Sequence, residues 1–263
     1  MRNEATPLLD LRNVTVMCGN NVALNRLTLQ IAASERVCIL GPNGCGKSTL
    51  IKTITRECYP VQREDSAMSI LGRSVWDIFE LRPQLGIVSP DQLAACTTDA
   101  TGMDVVLSGF FSSTRIFPNH HPAAEHRRRA ELALARLRIA HLAERPVQEM
   151  SSGEAKRTLI ARALVHGPGT LLLDEPGNAL DIGGQLELSG TLSELAKAGL
   201  GIVLVTHHVP EIIPEIERVV LLQKGRVLTD GAKEEVLTSA QLSALFGAHV
   251  RVFRENGYFH VHA

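Results

Sequence analysis

The chain has 263 residues, 44 % of them hydrophobic and 21 % charged, with a formal net charge of −1. That length suits one large domain or a core with a smaller lobe, and the balance is that of a globular chain rather than a disordered one. Near-neutrality leaves no whole-molecule field to attract nucleic acid or anionic lipid, so no nucleic-acid partner is expected. Nowhere do about 18 apolar residues run together, and the opening MRNEATPLLDLRN lacks the apolar centre of a secretory signal. The chain is therefore expected neither to span a membrane nor to be exported by such a signal. Five cysteines (Cys18, Cys38, Cys45, Cys58, Cys96) without C-x-x-C spacing fit a reduced, cytosolic chain.

From Leu8 to Ile31, short alternating runs separated by Gly19-Asn20-Asn21 predict a small antiparallel meander. The next segment organises the rest. Val37 to Leu40 is an apolar run of strand length, Gly41 to Gly46 breaks it, and Leu50, Ile51 and Ile54 then fall on one helical face. The break fits G-x-x-x-x-G-K-[ST] through Gly41, Pro42, Asn43, Gly44, Cys45, Gly46, Lys47 and Ser48, with Thr49 following. By chance the four fixed positions coincide in roughly one chain in a hundred of this length. Amides of such a loop converge on phosphate oxygens at a helix N-terminus, where the dipole favours negative charge. Lys47 then reaches the β- and γ-phosphates, and the Ser48 hydroxyl takes one Mg²⁺ position.

Strands are predicted at Met68 to Leu71 and Leu85 to Ser89. Between Pro90 and Met150 prolines punctuate a helical stretch, with Ala123 to Ile139 placing Leu132, Ala135 and Ile139 on one face; this reads as a helical lobe inserted into an α/β core. Helices at Glu154 to Val165 and Gly184 to Lys197 alternate with buried-type strands at Thr170 to Leu173 and Ile202 to Thr206, the pattern of a parallel sheet covered on both faces. A helix at Thr238 to Phe246 and a hairpin at Val250 to His262, turning on Asn256-Gly257, complete the chain. The expected boundaries are a core at about 8–90 and 151–235, a lobe at about 91–150, and a C-terminal helix and hairpin at about 236–263.

Leu171-Leu172-Leu173 runs into Asp174-Glu175. At a strand tip beside a phosphate loop, Asp174 can hold Mg²⁺-bound water and Glu175 can accept a proton from an attacking water. Taken alone, the same run is a strand leading into a helix cap. Ser151 and Glu154 have capping-box spacing, so they cap the following helix, and a capped helix end with a Gly153 backbone is also a phosphate site. Arg127-Arg128-Arg129 reads as a solvated helix face.

Met150-Ser151-Ser152-Gly153-Glu154 resembles the LSGGQ signature of ABC ATPases, Ala179-Leu180-Asp181 resembles their D-loop, and Val205-Thr206-His207 their switch histidine. The resemblance covers about residues 8–235. It implies a P-loop NTPase (RecA-like) α/β fold, Mg²⁺-dependent ATP hydrolysis, and a head-to-tail dimer, either of this chain or with a second ABC ATPase subunit, that holds ATP between phosphate loop and opposing signature. It places Ser151, Gly153, Glu154 and Asp181 at the nucleotide and makes His207 hold Glu175 and the water in line. Integral membrane permease subunits are the implied partners, with this chain cytoplasmic and peripheral on the membrane's inner face. Three features depart from the family pattern. Met17-Cys18 stands where an aromatic ring stacks on adenine. Gln92 lies two residues beyond the usual place of a glutamine that contacts Mg²⁺ and water. Ser152 and Glu154 replace Gly and Gln in the signature, where Lys156 or Arg157 is expected to offset the charge of Glu154. Two other classes compete: a soluble ABC-type ATPase with a regulatory or assembly role, and a P-loop kinase, with which the signature conflicts.

Overall fold

The computed structural model describes residues 6–96 and 99–262. Residues 1–5 of the opening stretch, residues 97 and 98 of the lobe-entry segment and residue 263 at the end of the C-terminal hairpin segment lie outside the described residues.

In chain order the strands and helices are β1 (Leu9–Cys18), β2 (Asn21–Ile31), β3 (Arg36–Leu40), α1 (Lys47–Ile54), β4 (Ala67–Ile70), α2 (Ile78–Leu81), β5 (Leu85–Val88), α3 (Pro90–Cys96), α4 (Gly102–Ser108), α5 (Ala124–Arg136), α6 (Ser152–Leu164), β6 (Thr170–Asp174) and α7 (Ile182–Lys197). They continue with β7 (Gly201–Thr206), β8 (Arg218–Gln223), β9 (Arg226–Ala232), α8 (Lys233–Val236), α9 (Ser239–Phe246), β10 (Arg251–Glu255) and β11 (Tyr258–His262). Two compact units result, Phe79–Leu195 and the residues on either side of it.

In the unit formed by the chain ends, β1 pairs antiparallel with β2 on one edge and β4 on the other. Leu9, Leu11, Val14 and Val16 of β1 meet Leu24, Leu27, Leu29 and Ile31 of β2 in a buried layer, as the alternation predicts. The third strand of this sheet comes from after α1, a pairing that local periodicity does not carry. β3 lies between the parallel strands β7 and β8, and β9 closes the edge antiparallel to β8. Val37, Cys38, Ile39 and Leu40 are all buried, because a central parallel strand is covered on both faces. The β8–β9 hairpin, which the sequence reading did not single out, turns on Lys224-Gly225 with both residues at positive φ, the geometry of a two-residue hairpin turn. β10 and β11 turn on Asn256-Gly257 as predicted, again with both φ positive.

In the Phe79–Leu195 unit, β5 and β6 pair in parallel, with Ile87 opposite Leu172. The predicted face of the long lobe helix is corrected: α5 ends at Arg136, and its buried side carries Ala130, Ala133 and Leu134, while Leu132 is 56 % exposed and Ala135 is also exposed. Arg138, at φ 58, ends the helical path, so Ile139 is buried beyond the helix rather than on its face. Arg128 pairs with Glu125 at 2.8 Å on the exposed side, the solvated reading of that basic run.

α6 anchors α4 and the turn after it. The half-buried Arg162 guanidinium donates to Ser108 Oγ at 3.2 Å and to Ser113 O at 2.7 Å, and His166 Nε2 lies 3.1 Å from Gly109 O. Loss of hydration lowers the His166 pKa, the Gly109 carbonyl opposes this, and Arg129, His126 and Arg162 lower it further. The unfolded chain therefore binds more protons here just below pH ~6.5, so stability should fall as pH drops through that region. His166→Asn should flatten this slope in urea midpoints measured from pH 5 to 8; an unchanged slope would remove His166 as its source.

Candidate functional site

In the unit formed by the chain ends, Gly41 follows the last residue of β3 and donates its amide to Thr206 O at 3.2 Å. Leu40 is paired with Thr206 in the register, so the loop and His207 leave the same edge of adjacent parallel strands. The loop then doubles back. Gly44 and Gly46 have φ 76 and 111, and a Cβ on Gly46 would lie 2.5 Å from Ala23 O, which only glycine avoids. Cys45 is buried, its carbonyl accepts from Gly225 N at 2.8 Å, and Gly225 O in turn accepts from Asn25 N at 2.9 Å. The loop is thus pinned to the β8–β9 turn and to β2, while Asn43, Gly44 and Ser48 stay exposed.

α1 begins after Gly46 with no side-chain cap and no acid in its first turn. Its first amides and the positive end of its dipole therefore meet no competing group of the helix itself. Lys47, 4 % exposed, donates to Gly41 O at 2.9 Å and Pro42 O at 3.0 Å, which sets its ammonium under the loop. His207 is half-buried, and its ring lies 3.8 Å, centroid to centroid, from that of exposed His208. Thr206 Oγ1 donates to Glu211 and accepts from His208 N, fixing the turn that carries both histidines. At the β1–β2 tip, Met17 is paired with Val22 and both are exposed.

The Phe79–Leu195 unit holds the other predicted residues. Asp174 ends β6, at 6 % exposure. Glu175 follows at φ 48, a left-handed backbone that is uncommon for a glutamate, and its carboxylate accepts from Asn178 Nδ2. Asn178 was not singled out from the sequence; the signal was its place three residues on, in a tight turn. Gln92 lies in the first turn of α3, where its amide donates to Ser89 Oγ at 3.4 Å and its Oε1 is buried without a hydrogen-bond partner.

The capping box at the start of α6 is formed: Ser151 N donates to Glu154 Oε2 at 2.8 Å and Glu154 N to Ser151 Oγ at 3.2 Å. The backbone bond from Ser151 is the main reason the Glu154 carboxyl titrates below its usual range, with Arg145 and Arg157 adding to it. Lys156 does not supply this charge. It turns inward, buried, and donates to Pro176 O and Asn178 O, bracing the turn after Glu175. Arg157 pairs with Glu187 at 2.9 Å. Gly153 approaches Gly184, whose amide is capped by Asp181 Oδ1 at 2.7 Å. Asp181 thus spends one oxygen on the start of α7.

Residues 24–178 match the family described as "ABC transporter". The chain is similar to a hemin import ATP-binding protein, HmuV, of Bradyrhizobium diazoefficiens, at 30 % identity over 95 % of this chain and 92 % of the relative. It is also similar to a cobalt import ATP-binding protein, CbiO, of Rhodobacter capsulatus, at 35 % identity over 89 % and 81 %. Among solved structures it resembles the dimeric post-hydrolysis state of the ATP-binding cassette MJ0796 bound to ADP and Pi, with TM-score 0.69, 27 % identity, and 85 % and 98 % coverage. The matched stretch runs from β2 through the turn after β6, and the chain belongs to the ABC transporter family.

Proposed function

We propose that the chain is the ATP-hydrolysing motor of an importer, working as a dimer on separate membrane subunits. The observation that carries this is the phosphate loop itself: left-handed Gly44 and Gly46, buried Lys47 and an uncapped α1, with His207 leaving the neighbouring strand at the same edge. Import is supported by the names of the hemin and cobalt relatives, and a dimer by the dimeric MJ0796 cassette. No helix among the described residues is long and apolar enough to cross a membrane, so passage of cargo falls to the partner subunits. Such a motor works at the inner face of the membrane. Co-purification of permease subunits with the tagged chain from native membranes tests this; recovery of the chain alone, with no integral protein, would favour the soluble regulatory alternative.

The roles follow from what each group offers. Gly41 to Thr49 wrap the phosphates with backbone amides, and Lys47 supplies the cation. Glu175, held by Asn178, accepts the proton of the attacking water, and His207 orients that water and the γ-phosphate. Ser48, Asp174 and Gln92 are hard oxygen donors of the kind Mg²⁺ takes, and the buried, unpartnered Gln92 Oε1 suits a cation ligand. When bound, Mg²⁺ supplies charge neutralisation at the phosphates. Ser151 and Gly153, at the capped end of α6, face the γ-phosphate held by the second subunit, with Asp181 alongside.

Glu154 brings a carboxylate close to that phosphate. Glu154→Gln keeps the box, because a glutamine oxygen also accepts the Ser151 amide, and removes the charge. Phosphate release should quicken about two- to fivefold, the worth of up to ~1 kcal/mol between solvated charges. A slower variant would count against Glu154 facing phosphate.

A further inference from the structure

Two of the free cysteines, Cys18 and Cys58, are neighbours beside α1. Val16 of β1 forms an antiparallel bridge with Pro60, flanked by the Val61 amide donating to Thr15 O at 2.8 Å. Proline has no N–H, so Val16 and Pro60 are a non-hydrogen-bonded pair. Cys18 and Cys58 each stand two residues from this bridge, Cys58 in the bend by which the chain leaves α1. The side chains also sense each other: burial is the first cause that raises the Cys58 thiol, and Cys18 acts on it both as a neighbouring charge and as a hydrogen-bond partner. Cys58 is tethered to the end of α1 through its amide, which donates to Lys52 O at 2.9 Å. Cys18 Sγ lies 3.7 Å from Thr49 Oγ1, in the first turn of α1 and two residues from Lys47.

We propose that Cys18 and Cys58 form a reversible disulfide that weakens ATP binding at the adjoining phosphate loop. A low-molecular-weight disulfide is the oxidant. The exposed Cys18 thiolate attacks one of its sulfurs, forming a mixed disulfide and releasing one thiol. The Cys58 thiolate then attacks Cys18 Sγ, forming the protein disulfide and releasing the second thiol, so the two cysteine protons end on the two released thiols. The bond draws Cys18 away from Thr49 and ties the β1 tip to the segment leaving α1, which changes the wall beside the nucleotide. That consequence rests on the phosphate loop being the ATP site.

The test equilibrates the full chain with mixtures of reduced and oxidised glutathione, digests it with trypsin without reduction, and measures ATP affinity in parallel. Cys18 falls in the tryptic peptide 13–26 and Cys58 in 57–63, while Cys38 and Cys45 share a third, 37–47, so the pairing is read directly from mass. Expected are a linked 13–26/57–63 peptide, a rise of about threefold or more in the ATP Kd, and reversal of both by dithiothreitol. Cys58→Ser should bind ATP as the reduced wild type does and ignore the oxidant. Glutathione on Cys18 without the linked peptide, a linked peptide with unchanged Kd, or an equal loss of affinity in Cys58→Ser would each overturn the switch. Failure of the ATP-site reading shows separately, as reduced wild type that binds no ATP.

Discussion

Glu175→Gln should leave ATP binding within about twofold of wild type while phosphate release falls by two to four orders of magnitude, the usual worth of a positioned general base. Glu175 sits one residue past the buried end of β6, at positive φ, so its side chain is aimed by a backbone that few residues adopt. Asn178 holds the carboxylate, and Lys156 grips the carbonyls of Pro176 and Asn178 from beneath. Glutamine has the same shape and can still accept from Asn178, so the turn should survive. What goes is basicity. ATP that binds without being cleaved should accumulate a dimer in size-exclusion chromatography. Turnover at the wild-type rate would remove Glu175 from its role.

Lys47→Ala should fail at the earlier step. The ammonium lies under the loop against Gly41 O and Pro42 O, almost fully buried. Hydrogen bonds to a charged group are worth about 1.5–3 kcal/mol each, so loss of the phosphate contacts should weaken ATP binding by roughly 100-fold or more. The two loop carbonyls also lose a donor, and a fall of a few degrees in Tm should accompany the loss of affinity. Calorimetric titration with a non-hydrolysable ATP analogue separates the two variants: Lys47→Ala weak, Glu175→Gln tight. Wild-type affinity in Lys47→Ala would place the phosphates elsewhere.

The parts of the site that could be read from residue order are those whose chemistry is local. Gly41 and Gly46 stand where a side chain would collide with neighbouring backbone and Gly44 holds a positive φ, Ser151 and Glu154 satisfy each other within one turn, and Asn256-Gly257 dictates a hairpin. The parts that could not be read depend on partners distant in the chain or on which way a side chain turns. β4 joins β1 across the whole of α1, and the loop's support by Gly225 and Asn25 joins three separate segments. Lys156 is one residue from Arg157 on α6, yet one turns inward to backbone carbonyls and the other outward to Glu187. On α5 the apolar residues permit two stripes, and packing selects the one through Ala130, Ala133 and Leu134.

Crystals of Glu175→Gln grown with ATP and magnesium test the central claim most directly. Each nucleotide should lie with its phosphates in the Gly41–Thr49 loop of one subunit and its γ-phosphate within hydrogen-bonding distance of Ser151 and Gly153 of the partner subunit. Nucleotide-loaded chains whose α6 starts point away from every bound phosphate, in crystals and in solution cross-linking alike, would contradict it.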